Sequence, residues 1–240
     1  MSRHCTRSTI AILIAALIAG CGGSILATPT PAPPVRVVTT ASASPFVRGA
    51  TDRTVTGTTP FVITLAASNP DLMAAVTREP VIGITLYFPP ESALWATPLG
   101  EESIAVVVNP AGTIHELTLS QVQDIYAGRA PEWAAAVREE GDDSRLAFEA
   151  MALRGVKPAA TTIVAPSPEA MLNFVASTPN GIGYLPLRWV TDDVKAVAVD
   201  SRLPTDPEYR LKALIVAVAQ QEPSAAAREW LTKVQSGGEK

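Results

Sequence analysis

Three short junctions restrict most strongly what this chain can fold into. Ser44-Pro45 follows the apolar run Val35-Arg36-Val37-Val38, Asn69-Pro70 follows Phe61-Val62-Ile63-Thr64-Leu65, and Ser167-Pro168 follows Thr162-Ile163-Val164. Each sets a helix-capping residue before a proline at the first helical position, where the missing N–H is no loss. β-Branched runs that lead through such junctions into helices describe strand–helix units, and their repetition describes an α/β protein with parallel sheets. Val81 to Leu86, Ile104 to Val108, Gly181 to Leu185, Val194 to Val199 and Leu211 to Val218 read as further strands. Thr118 and Gln121 form a capping box for a helix reaching Tyr126, while Arg145 to Leu153 and Ala225 to Val234 read as helices. The junctions also carry chemistry. Unpaired N–H groups and the positive end of the helix dipole suit anions, and such junctions sit at the carboxyl ends of strands, where ligand crevices form. One junction is ordinary capping; three in one chain point to one or two that face a ligand, with capping alone as the competing use.

The N-terminus belongs to no fold. Arg3 and Arg7 form a basic start, Ile10 to Ile18 a short apolar run, and Ile18-Ala19-Gly20 places small residues before Cys21. The run is too short for a membrane span and reads as a signal peptide, residues 1–20, with Cys21 as the lipidated residue of a bacterial lipoprotein. A plain secretory signal cut near Gly20, or an uncleaved anchor, is the competing reading. Residues 21–34, rich in proline and small residues, read as a semi-stiff tether that holds a domain away from a membrane. Cys5 leaves with the leader and Cys21 is acylated, so no disulfide is expected and the domain rests on its core. Loss of Arg3 and Arg7 takes the net charge from −4 to −6, which argues against a nucleic-acid partner and against a bulk anion-steering field. Any anion site must be built locally.

The segment Asn109 to Glu149 carries the most specific pattern. Leu117, Thr118, Ile125, Tyr126, Gly128 and Trp133, followed by Arg138, Glu140, Gly141, Ser144, Arg145 and Phe148, resemble the second-lobe segment of the phosphate-binding proteins of phosphate ABC transporters. VRVVTTASASPFVRG is similar to that family's first strand and hydroxyl-rich loop, NFVASTPNGIGYL to its return into the hinge, and EYRLKALIVAVAQQEPSAAAREWLTKVQS to its closing strand and helix. The resemblance implies a two-lobe type II periplasmic-binding-protein fold, each lobe a mostly parallel sheet flanked by helices. One lobe would take residues 35–103 plus 191–236 and the other 104–190. It further implies an extracytoplasmic solute-binding lipoprotein of an ABC importer, gripping phosphate or a related small oxyanion between the lobes and working with a permease, as a monomer without a cofactor and without enzymatic activity.

A tetrahedral oxyanion needs many neutral donors and one cation to match each desolvated oxygen. By resemblance the ligand-binding set is Thr40, Ser42 and Ser44 in the first loop, Ser68 at the second junction, and Arg138, Glu140, Gly141 and Ser144 in the ligand loop, with Glu140 as the acceptor of an acid proton. The pattern then departs. Where the family has Ser-Gly-Thr, this chain has Asp142-Asp143-Ser144, and an ionised aspartate in contact with an oxyanion is repulsive. No carboxylate follows the third strand, and four residues between Trp133 and Arg138 leave no room for the extra strand of the family. These departures raise an alternative: a sensory or interaction lipoprotein with the same fold and a degenerate or re-purposed pocket. The run Glu139-Glu140-Gly141-Asp142-Asp143 is also readable as a solvated turn, or as a loop preferring a cationic or neutral solute; its spacing fits no calcium loop. His115, without cysteine or a second histidine nearby, supports no zinc site, and no Gly-x-Ser-x-Gly elbow or Ser-His-Asp set is present. Trp133, Tyr126 and Trp230 read as core.

Overall fold

The computed structural model describes residues 34–54 and 60–237; the leader, Cys21 and the tether up to residue 33 lie outside the described residues. The β-branched runs become strands as their sequence dictates: β1 (Val35–Thr39), β2 (Phe61–Leu65) and β3 (Ile82–Thr85), separated by α1 (Ser44–Thr54) and α2 (Asn69–Arg78). Then come β4 (Trp95–Val108), β5 (Glu116–Leu117), α3 (Leu119–Tyr126), β6 (Ala134–Arg138) and α4 (Asp143–Phe148), which runs on as a π turn through Leu153. β7 (Ile163–Ala165), α5 (Pro168–Ser177), β8 (Gly181–Pro186), β9 (Lys195–Ala196), β10 (Ala198–Val199), β11 (Lys212–Ala219) and α6 (Ala225–Gly237) complete the order. Among the described residues the main sheet runs β2-β1-β3-β11-β4-β8-β6-β7, with β9 beside β4, and β10 pairs separately with β5. Its two ends are parallel, β2-β1-β3 and β8-β6-β7, and its centre is antiparallel.

The 14-residue β4 joins the two parallel ends. Its first part pairs with β11 down to Ser103 opposite Lys212, and from Ile104 opposite Pro186 it pairs with β8. Two bonds fix the change of partner: Ile104 N–H donates to Leu211 O at 2.7 Å, and Tyr209 Oη donates to Ile104 O at 3.0 Å. β4 starts well before the Ile104 that the sequence predicts, because Pro98, Gly100, Glu101 and Glu102 disguise its first part. The β11 register slips between Ile215 and Val216, so Leu99 is the extra residue of a bulge, the kind of place where a strand tolerates a nearby proline.

Several other boundaries move. The stretch 134–138, to which the sequence assigns no strand, is β6, parallel to β8 and β7. Val194 to Val199 divides into β9 and β10, because the chain passes from the β4 edge to β5. The cap of α2 is Ser68, whose Oγ accepts the Asp71 N–H at 3.2 Å, and not Asn69, which is the first helical residue. Ser44 likewise lies inside α1, after a turn held by Ser44 N–H to Ala41 O and by Ala43 N–H to Thr40 Oγ1. Ser167 does cap α5, and the Thr118–Gln121 capping box forms at α3.

The same packing device recurs at both parallel ends. A Cβ on Gly83 of β3 would stand 2.7 Å from Leu72 and Val76 of α2, and one on Gly183 of β8 would collide with Met171 of α5. Each glycine lets a helix lie close against its sheet. The main core runs through Val37, Ile84, Ile104, Tyr126, Phe148, Ile182 and Tyr184, and a smaller cluster around Val38, Leu72, Val76 and Val218 sits under α2. Tyr126 and Trp230 are buried, while Trp133 is half-buried against the core.

Candidate functional site

The carboxyl ends of β1, β3 and β6 meet, and the turns that follow them bring together most of the residues the sequence singles out. Their donors converge on a carboxylate of the chain itself. Arg138, the last residue of β6, is buried with 3 % exposure. Its Nη2 donates to Asp142 Oδ2 at 2.8 Å, and its Nη1 is anchored on Ala165 O at 2.6 Å. Ser144 Oγ donates to Asp142 Oδ1 at 2.5 Å, and Ser42 Oγ approaches the same carboxylate at 3.2 Å. The Arg145 N–H completes the set at 3.1 Å from Oδ1. Two hydroxyls, one backbone N–H and one guanidinium therefore surround a single oxyanionic group, in the mixture of neutral donors and one cation that such a group requires when desolvated.

Asp143 points the other way, towards the first strand group. Its Oδ2 accepts Leu86 N–H at 2.8 Å, Thr40 Oγ1 at 2.7 Å and lies 3.2 Å from Thr85 Oγ1. No carboxylate follows β3 in sequence, yet one stands against its end in space. Burial, and then the neighbouring Asp142 charge, push the Asp143 carboxyl up to about 6, and its three donors offset only part of this. Two atoms of the cluster are buried without a hydrogen-bond partner: Arg138 Nε and Asp143 Oδ1. Among the described residues no group of three or more His, Cys, Asp and Glu side chains is arranged to hold a metal ion.

The remaining predicted residues are placed as follows. Gly141 takes φ +82°, a left-handed turn that favours glycine, and its carbonyl accepts the Asn69 N–H at 2.8 Å. Ser68 lies beside that glycine but is committed to capping α2 and to Asp71. Ser44 is buried, with its Oγ donating to Ala41 O at 2.9 Å and so closing its own turn. Glu140 is exposed, outside the cluster. The aspartates read as disruptive, Asp142 and Asp143, are the centre of the cluster, and Thr85 and Leu86 were not foreseen. The spacing Arg138–Asp142, four residues apart, and the position of Asp142 three before Arg145, at the cap of α4, were the available signals.

An aromatic platform holds the turn in place. Tyr184 accepts the Arg138 N–H at 3.0 Å, Phe148 stacks on Tyr184 with centroids 4.0 Å apart, and Tyr126 tilts against Phe148 at 5.1 Å. The opposite turn is steadied by Trp189, whose Nε1 donates to Ser42 O at 3.2 Å.

Two parallel strand groups joined through a long shared strand, with a polar cluster at the strands' carboxyl ends, define the type II periplasmic-binding-protein fold. Residues 65–238, well over half of the chain, match the family described as LysR substrate binding domain, and the chain belongs to that family. The phosphate-binding protein PstS of Bacillus subtilis (strain 168) is 26 % identical over 149 residues, which cover 55 % of this chain; the chain spans about half (49 %) of that relative's length. A putative phosphate ABC transporter substrate-binding protein from Clostridium perfringens, solved with bound phosphate, superposes with a TM-score of 0.75 at 21 % identity, covering 83 % of this chain and 92 % of the other. The regulatory domain of CcmR from Synechocystis, in complex with 2-PG, gives 0.66 at 14 % identity over 87 % and 98 % of the two chains. These likenesses establish the fold, which solute-binding proteins and transcriptional regulators share. No helix among the described residues is long and apolar enough to cross a membrane.

Proposed function

We propose that this chain is an extracytoplasmic solute-binding lipoprotein, anchored through Cys21 and the 21–34 tether, that holds a small oxyanion of the phosphate type between two lobes (35–103 with 191–236, and 104–190) for an ABC permease. The observation that carries this reading is the convergence of Arg138, Ser42, Ser144 and the Arg145 N–H on one oxyanionic group. Their donors satisfy a carboxylate here, and the same donors suit a phosphate oxygen set, because both ligands present desolvated anionic oxygens to a guanidinium and hydroxyls. Similarity to phosphate-binding relatives supports the same ligand class. The reading is one of binding, as for the phosphate-binding relatives. Thermal unfolding and titration calorimetry of the full chain in detergent, with phosphate, sulfate and molybdate, test the reading. A rise in Tm with phosphate that Arg138→Ala removes is expected. A folded protein that responds to none of the three anions sinks it.

One observation favours a second reading. The seat is filled by the chain's own Asp142, and the adjacent Asp143 is tied to the opposite turn, as suits a sensory or interaction lipoprotein in which the pocket serves structure. A fold shared with a regulatory domain is consistent with it.

A further inference from the structure

We propose that Asp142 is a tethered ligand: its carboxylate occupies the oxyanion seat formed by Arg138, Ser42 and Ser144, so the side chain at position 142 decides whether a free anion can enter. This rests on the reading of that cluster as an oxyanion seat, and adds what controls it.

Four observations carry the inference. First, the Asp142 carboxylate is not a bystander near the donors but their common acceptor, with Arg138 Nη2 at 2.8 Å, Ser144 Oγ at 2.5 Å, the Arg145 N–H at 3.1 Å and Ser42 Oγ at 3.2 Å. Second, these donors come from both sides of the junction: Ser42 from the turn after β1, the others from the end of β6 and the start of α4. A carboxylate on residue 142 thus bonds across the groups that a bound anion would bridge. Third, Asp142 is 7 % exposed and Arg138 3 %, so neither charge is neutralised by water, and each is the other's ion-pair partner. A free phosphate enters this place only by displacing the Asp142 carboxylate. It would meet two ionisable carboxylates, Asp142 and Asp143, on adjacent residues, and like charges in a desolvated site repel strongly. Fourth, Arg138 Nε is buried without a partner, so the carboxylate leaves one donor of the guanidinium unused. A planar two-oxygen group satisfies this seat less fully than a tetrahedral anion with more oxygens can.

The tether also explains why the seat stays filled. A ligand attached to the backbone next to the seat's own glycine, Gly141, is presented at an effective concentration set by the tether and not by the solution, so a dissolved anion must outcompete it to bind. Shortening the side chain to a hydroxyl removes the competitor and restores a donor at the same backbone position.

The test uses the full chain in detergent as wild type, Asp142→Ser and Asp142→Asn, with phosphate and formate as probes, read by calorimetry and by Tm. Asp142→Asn keeps the shape and the cap while removing the charge, and guards against a serine variant too unstable to handle. The expected result is that phosphate binds Asp142→Ser at least about 100-fold more tightly than wild type. Formate, a free carboxylate, should raise the Tm of Asp142→Ser, where the shortened side chain leaves it room, and leave wild type unchanged. Equal phosphate affinity of wild type and Asp142→Ser overturns the tethered ligand while leaving the oxyanion seat standing. A folded Asp142→Ser and a folded Asp142→Asn that respond to neither phosphate nor formate overturn the seat itself, and the tethered ligand with it.

Discussion

Replacing Asp143 with asparagine should remove a large part of the pH dependence of this protein's stability. The carboxyl is fully buried, and burial followed by the charge of Asp142 raises its pKa from 3.8 to about 6. Below the unfolded-chain value of 3.8 the group is protonated in both states, and its burial carries no ionisation penalty. As the pH rises towards about 6 the unfolded chain gives up its proton while the folded protein still holds it, so stability falls. Above that pH both states are ionised and the penalty stays constant, at about 3 kcal/mol for a rise of this size. Asparagine has the same outline, keeps an oxygen for the Leu86 N–H and the Thr40 hydroxyl, and cannot ionise. Urea unfolding of both proteins at several pH values between about 4 and 7 reads the effect directly, as the difference in unfolding free energy. That difference should move by about 2 kcal/mol in favour of the asparagine variant from the acid to the neutral end, because at pH 4 part of the effect is already present. The absolute order at pH 4 is immaterial. Parallel profiles, with no change in the difference, refute the reasoning, because they mean that Asp143 ionises alike in the folded and unfolded chain.

Three other substitutions probe the supports of the cluster. Arg138→Met leaves the buried Asp142 without its cation and should cost about 3–5 kcal/mol at neutral pH, read by urea unfolding. Tyr184→Phe deletes the acceptor of the Arg138 N–H and should cost about 1–3 kcal/mol, with the far-UV circular dichroism unchanged. Gly83→Ala drives a methyl to within 2.7 Å of Leu72, Val76 and Val218, and a loss of about 1–3 kcal/mol should appear as a lower Tm.

The scaffold was legible because its signals are local. β-Branched runs, the Thr118–Gln121 capping box and the Ser167 cap each depend on residues a few positions apart, and each forms. β6 was hidden because Ala134-Ala135-Ala136 has no strand preference of its own; the chain is extended there because β8 and β7 pair with it from both sides and α5 packs across it. The acidic run shows a different limit. Glu139 and Glu140 are exposed and Asp142 and Asp143 buried, so one solvated-looking stretch is split in two by the left-handed turn at Gly141. A solvated turn and a buried charge pair are written in the same letters. What distinguishes them is whether donors from distant strands, such as Thr40 and Leu86, arrive to meet the carboxylates. Sequence reading expected the aspartates to repel the ligand; the structure shows the donors already engaged by one of them.

That engagement changes what the fold can do with its seat. A receptor whose two strand groups are bridged by a dissolved anion gains stability only when the anion is present, in proportion to the logarithm of its concentration over Kd. Here the bridge is covalently attached: Asp142 reaches Ser42 and Asp143 reaches Thr40, so both aspartates of one turn fasten it to the turn after β1. The protein therefore holds the bridged arrangement without ligand, and a free anion must displace Asp142 and also tolerate Asp143. A ligand shifts a conformational equilibrium only by its differential affinity for the two states, and the tether has already spent that difference on the bridged one. Protonation of Asp143 lowers the repulsion that an incoming anion meets, so any exchange of tethered for free anion should be favoured as the pH falls through about 6, and not as it rises. Phosphate affinity of wild type measured on both sides of that pH decides it: tighter binding at the alkaline side contradicts the competition between the free anion and these carboxylates.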